Sequence, residues 1–178
     1  MASPPKRALR HFSLSVNGSQ YDVLAPPLMS LAEVLREKCG LRGLKHGCQQ
    51  GGCGACSVQV DGQLILACLL PVARAAEKPI ETIEGLAEGE KLHPIQEAFV
   101  ACYATQCGFC TAGMIMATKA LLESNPTPSR EDVLVALSGN ACRCTGYLAI
   151  VDAVLAAAQA RTTELTEPSV ALELTLKN

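Results

Sequence analysis

The sequence predicts an α+β protein, with a small mixed sheet built from two hairpins in the first half and four helices in the second. Three observations predict it. Period-two alternation broken by Asn-Gly and Asp-Gly turns runs to about residue 85, helical spacing of apolar residues takes over from residue 93, and clustered cysteines occur in both halves.

Residues 1–10 form a basic N-terminal extension and residues 11–85 the first unit. Phe12, Leu14 and Val16 alternate with polar residues, Asn17-Gly18 supplies a tight turn, and Tyr21, Val23 and Leu24 return as a second strand. Ser30 and Glu33 have the spacing of a capping box for a short helix. Leu31, Val34 and Leu35 give that helix its apolar face, and Gly40 stops it. After a glycine-rich stretch from Gly43 to Gly54, Val58 and Val60, the Asp61-Gly62 turn, and Leu64 and Leu66 predict a second hairpin. Ile80 and Ile83 predict a last strand. Residues 86–92 are charged and glycine-bearing, as a linker would be.

Residues 93–161 form the second unit. Pro94 is suited to a first helical position, and Ile95, Ala98, Phe99 and Cys102 form one apolar stripe. Thr111 to Ser124 predicts a second helix, ended by Asn125-Pro126. Ser129 with Asp132 caps a third running to about Leu137, and Ile150 to Ala160 predicts a fourth. Residues 162–178 are left as an unassigned tail, and no internal repeat relates the two halves.

Bulk composition narrows the function. Of the 178 residues, 49% are hydrophobic, enough for a real core, and the formal charge is −2 with no long run of one sign to bind nucleic acid. No apolar stretch approaches the roughly 20 residues needed to cross a bilayer, and no apolar segment follows the basic N-terminus as in a signal peptide. The expected location is the cytoplasm, where thiols stay reduced. Ten cysteines beside 3% aromatic residues and no Trp therefore suggest metal binding rather than disulfides.

Cys48, Cys53 and Cys56 follow C-x4-C-x2-C, with Cys68 beyond the second hairpin. The first three match the spacing by which plant-type ferredoxins hold a 2Fe-2S cluster. Such a cluster needs converging thiolates and backbone N–H donors near its sulfides, and Gly47, Gly51, Gly52 and Gly54 would let amides approach closely. A four-cysteine zinc site is the alternative. Cys39 is expected as a buried free thiol on the short helix.

Cys107 and Cys110 form C-x2-C, and Cys142 and Cys144 form C-x-C, in loops that open onto predicted helices whose N-termini favour an anionic group. Gly108 and Gly146 would leave room for close approach. For this group taken alone zinc is a serious rival, and Cys102 is expected to pack rather than ligate.

The segments Gly47-Cys48 to Ala55-Cys56, Gln106-Cys107-Gly108-Phe109-Cys110-Thr111 and Cys142-Arg143-Cys144-Thr145-Gly146-Tyr147 occur in this order. With them the chain resembles the iron–sulfur small subunits of the xanthine oxidase, or molybdenum hydroxylase, family, from about Phe12 to Ala160. The resemblance implies a β-grasp plant-type ferredoxin domain followed by a four-helix 2Fe-2S domain. It implies two 2Fe-2S clusters, one on Cys48, Cys53, Cys56 and Cys68 and one on Cys107, Cys110, Cys142 and Cys144. It also implies a large partner subunit carrying a molybdopterin cofactor and a medium one carrying FAD. By the same resemblance Gln106 and Cys144 lie against the pterin, and the Cys48 group faces the flavin. The chain departs from the family at Ala112, where proline is usual, and at Ala141, where leucine is usual.

The expected function is thus an electron relay within a molybdenum hydroxylase, with no substrate site in this chain. The rivals are a zinc-stabilised interaction module and a free, diffusible ferredoxin. His46 beside Cys48 does not make a Rieske site, which needs two histidines. Asn17-Gly18-Ser19 fits a glycosylation sequon but is read as a hairpin turn. Arg143 either tunes a cluster or is simply solvated, and Met114 and Met116 are read as core.

Overall fold

The structure, a computed structural model, describes residues 8–166; the proposed N-terminal extension before residue 8 and the tail from 167 lie outside the described residues. Five strands form one mixed sheet in the order β2-β1-β5-β3-β4. Strand β1 (Arg10–Val16) pairs antiparallel with β2 (Ser19–Ala25) and parallel with β5 (Pro79–Glu81). Strand β3 (Ser57–Val60) pairs antiparallel with β4 (Gln63–Leu66) and with β5. Both hairpins turn as their sequences demand. Asn17 and Gly18 have φ 51° and 75°, Asp61 and Gly62 have φ 55° and 73°, and two positive φ values in succession match the right-handed twist of paired strands.

Helix α1 (Leu31–Glu37) begins at Ser30, whose hydroxyl accepts the Glu33 N–H, and buries Leu31, Val34 and Leu35 against Leu14, Val16, Val58 and Ile80. A one-turn helix α2 (Val72–Ala75) follows Pro71 and adds Val72 and Ala75 to the same core.

The second core belongs to four helices: α3 (Pro94–Ala101), α4 (Thr111–Ser124), α5 (Arg130–Leu137) and α6 (Leu148–Thr166). It packs Phe99, Met114, Met116, Leu122, Val133, Leu137, Ile150 and Val154, so both methionines are core as expected. Helix α4 is buried from Gly113 through Thr118 because it lies between the other helices and the sheet. That position explains why β3 is buried on both faces. Val58 and Val60 enter the first core, while Gln59 meets Lys119 and Glu123 of α4.

Four expectations are corrected. Ile83 does not extend the last strand but opens a 3₁₀ turn, Ile83–Gly85, where it packs on the helical core. The last helix begins at Leu148 and reaches Thr166, taking in residues assigned to the tail, because nothing from Arg161 to Thr166 breaks a helix. Cys39 follows α1 rather than lying on it and is half-buried. Leu86, expected in the linker, is buried in the helical core and anchors the connection. The Asn17 side chain donates to the Thr82 hydroxyl at 2.9 Å and accepts the Thr82 N–H at 2.9 Å, which ties up the amide that the sequon would modify.

Candidate functional site

The stretch between α1 and β3 has no regular structure of its own and is held from outside. Arg36 donates to the carbonyls of Arg42 and Leu44, and the Gly43 N–H donates to Glu84 at 2.6 Å. Within this frame the chain wraps round the sulfur of Cys48. The amides of Gln50 and Gly52 each donate to Cys48 Sγ at 3.3 Å, and the Cys48 amide donates to Cys53 Sγ at 3.4 Å. The Gln50 amide first, then the Gly52 amide and the Cys53 side chain, pull the Cys48 thiol down to about 7. Cys56 is buried and its side chain meets that of Cys68; burial pushes its thiol up to about 11. Glycine has two different reasons here. Gly51 and Gly54 have φ 79° and 67°, whereas Gly47 is needed for space, since a Cβ there would sit 2.7 Å from Cys53 Sγ and 3.6 Å from the Phe109 ring.

The second group sits at the ends of α4 and α6. Cys110 is the residue before α4 and is buried; Cys107 and Gly108 lead into it. Cys142 and Cys144 lie between α5 and α6. Cys144 Sγ approaches Cys107 Sγ at 3.5 Å, and the Cys110 and Cys142 side chains hydrogen-bond each other. Desolvation pushes the Cys110 thiol up to about 12. Burial alone would raise Cys142 as well, but the hydroxyl and amide of Thr145 outweigh it and bring the thiol to about 7. The Phe109 amide lowers Cys107, and the bond to Cys107 raises Cys144. Gly108 and Gly146 serve the backbone rather than clearance. Their φ values are 80° and 66°, and a Cβ would meet nothing within 4 Å at Gly146 and only Thr105, at 3.9 Å, at Gly108.

The sulfurs therefore meet as Cys48 with Cys53, Cys56 with Cys68, Cys107 with Cys144 and Cys110 with Cys142. Among the described residues no group of three or more His, Cys, Asp or Glu side chains is set to hold a single metal ion. Pairs suit a 2Fe-2S cluster, which takes two protein ligands on each iron, and the amides aimed at Cys48 Sγ are the donors that such a site uses to tune its sulfurs. On donor chemistry and space, both quartets fit.

Gln106, Cys107 and Cys144 are exposed, as is Arg143 between two of the cysteines. Cys102 closes α3 and packs against the helical core. Sequence reasoning gave no role to Thr145, Tyr147 or Asn140. The Tyr147 hydroxyl oxygen accepts the Cys142 N–H at 2.8 Å, and its proton goes to the Asn140 carbonyl at 3.3 Å. The only signal in sequence was their position beside the C-x-C pair.

Two family models match the chain. Residues 14–80 match a 2Fe-2S iron-sulfur cluster binding domain, and residues 82–155 match a [2Fe-2S] binding domain. The nicotine 6-hydroxylase small subunit of Paenarthrobacter nicotinovorans is 45% identical over 155 residues, covering 87% of this chain and 93% of that one. The aldehyde oxidoreductase of Megalodesulfovibrio gigas is 47% identical over 148 residues, covering 82% of this chain but only 16% of its own longer one. Among solved structures, quinoline 2-oxidoreductase from Pseudomonas putida 86 superposes with a TM-score of 0.84 at 45% identity, over 88% of this chain and 98% of that one.

Proposed function

Because this chain belongs to the 2Fe-2S small subunits of the molybdenum hydroxylase family, we propose that Cys48, Cys53, Cys56 and Cys68 hold one cluster and Cys107, Cys110, Cys142 and Cys144 the other. The chain is the electron-transfer subunit of a larger oxidoreductase whose molybdopterin cofactor and FAD reside on partner subunits. When bound, each cluster supplies a one-electron carrier. The protein does the rest. It keeps the thiolates paired, aims the Gln50 and Gly52 amides at Cys48, and buries Cys56 and Cys110 while leaving Cys107 and Cys144 at the surface.

The domain division proposed is 11–85 and 93–161, joined by 86–92, with Leu86 of the connection packed into the helical core and α6 continuing past 161 to Thr166, each part holding its own quartet. The exposure of Gln106 and Cys144 supports placing them against the pterin of the large subunit, with the Cys48 loop toward the flavin. The cytoplasm is the compartment proposed, since ten thiols persist there; among the described residues no helix is long and apolar enough to cross a membrane. A zinc-stabilised module is not favoured, because both halves match 2Fe-2S domains, and a diffusible ferredoxin is not favoured, because relatives of matching length are subunits.

The observation that carries the ligand assignment is the pairing of all eight sulfurs within their own groups. Cys56→Ser and Cys110→Ser test it by electron paramagnetic resonance. Each is expected to abolish a different signal and leave the other. One substitution erasing both signals in a folded protein would overturn the two-site assignment.

A further inference from the structure

Three segments converge on the carbonyl of Gly54. Its oxygen accepts the Ser57 N–H at 3.1 Å and the Ser57 hydroxyl at 2.8 Å from its own loop, and the Asn140 Nδ2 amide at 3.2 Å from the helical half. Immediately beside this contact the Ala141 N–H donates to the carbonyl of Cys53 at 3.0 Å. A residue adjoining Cys142 is thus bonded directly to Cys53, across a sequence separation that only the tertiary fold closes. Helix α4 presses in from the third side. A Cβ at Gly113 would lie 2.3 Å from the Gly54 oxygen and 3.1 Å from Asn140 Nδ2, and a Cβ at Gly54 would lie 2.5 Å from Asn140 Nδ2.

Asn140 is the residue that grips both sides. It is 5% exposed. Its side chain holds the Gly54 carbonyl, and its own carbonyl accepts the Tyr147 hydroxyl, whose oxygen accepts the Cys142 N–H. Its N–H closes the end of α5 on the Leu137 carbonyl at 2.9 Å. A small polar group buried to this degree, with its hydrogen bonds divided between two cysteine loops, fixes the register of one loop on the other.

We propose that Asn140 is a positioning residue for electron transfer between the two clusters, its amide holding the Cys53–Gly54 loop against Ala141–Cys142 so that the two carriers keep one short, fixed separation. This rests on the ligand assignment above. The separation decides the function, because transfer between two carriers weakens steeply as the gap grows and water enters it. Asn140 touches no ligand sulfur in this arrangement, so its replacement separates positioning from cluster binding.

The test uses the purified complex carrying Asn140→Ala. Iron, acid-labile sulfide and both resonance signals are expected to stay, while the magnetic splitting between the two reduced clusters shrinks or is lost and electron transfer between them after flash reduction slows severalfold. Retention of both signals with unchanged splitting and unchanged transfer rate would overturn the proposal, even if thermal stability fell, since that pattern is purely structural. If the variant fails to load, Gly113→Ala probes the same seam from α4 with Asn140 in place. Reduced splitting there supports the proposal, and native splitting overturns it. A wild-type complex showing only one kind of cluster would sink the ligand assignment instead, so the two failures are distinguishable.

Discussion

At the scale of single residues, the cysteine loops show how backbone chemistry prepares a place for iron. Cys48 and Cys142 are held near 7 by amides or a hydroxyl, whereas Cys56 and Cys110 are driven up to about 11 and about 12 by burial. Each quartet thus pairs a thiol that is easily ionised with one whose deprotonation has to come with metal binding. Gly47 has little latitude within its loop, since its missing side chain is the space that Cys53 Sγ and Phe109 occupy. Gly47→Ala is expected to displace Cys53 and lose the ferredoxin-domain cluster while the helical-domain cluster remains. Iron content falling by about half, with one resonance signal lost, is the result to look for; full iron with both signals intact would show that the loop has slack. Cys39, whose thiol burial raises to about 11, packs against the sheet core.

At the scale of elements, the seam between β3, β5 and α4 depends on Lys119. Its ammonium donates to Gln59 at 2.6 Å, Glu81 at 2.8 Å and Glu123 at 2.6 Å, joining the sheet to the helical half. Burial alone would lower the Lys119 ammonium, but Glu123 and Glu81 outweigh it and raise it. Burial alone would raise Glu123, but hydrogen bonds from Lys119 and Gln59 hold it below its ordinary range. A depressed carboxyl stabilises above its unfolded pKa and loses that contribution as pH falls through its folded value. A raised ammonium stabilises below its unfolded pKa and loses it as pH rises through its folded value. The seam is therefore at full strength between the ordinary carboxylate and ordinary lysine ranges, and weakens outside them. Lys119→Met is expected to cost about 1–2 kcal/mol at neutral pH, less than three ideal bonds because the glutamates are open to water. The cost should shrink toward acid pH. Denaturant unfolding of wild type and variant across pH measures both effects, and a pH-independent difference would contradict the assignment.

The elements legible in sequence were those with local punctuation. Asn17-Gly18 and Asp61-Gly62 fixed both hairpins, and Thr111 to Ser124 and the Ser129–Asp132 box marked α4 and α5 as they stand. What could not be read depended on packing at a distance. Helix α2 has only four residues and no periodicity to detect. Ile83 looked like strand because it is apolar, yet it serves the helical core. The His93 and Gln96 side chains that form the capping box of α3 were missed because histidine is not among the usual capping residues.

At the scale of the whole molecule, the two halves are built round separate hydrophobic cores and meet both along the α4–sheet seam and where their cysteine loops meet. The C-x4-C-x2-C spacing singled out the first proposed quartet, because three of its four cysteines share one loop. The second proposed quartet could be grouped from its C-x2-C and C-x-C pairs, but with 31 residues and two helices between them spacing left zinc a serious rival, and the family resemblance was needed to favour iron. The contact of Ala141 with Cys53, and the place of Asn140 beside it, carried no sequence signal at all. The exposed Cys107–Cys144 pair, and apolar side chains left open beside both cysteine groups, imply a covering surface. Phe109 at 47% exposed and Leu148 at 67% are near Cys107 and Cys144 in sequence, and Leu69 at 60% follows Cys68, as befits a chain that functions between partners.

The most direct measurement is iron, zinc and acid-labile sulfide per chain in the anaerobically purified complex, followed by a reductive titration monitored by electron paramagnetic resonance. Two quartets of cysteine predict about four irons and about four sulfides per chain, negligible zinc at these sites, and two distinct signals. Zinc in place of iron, or about two irons giving a single signal from a fully loaded chain, would contradict the account.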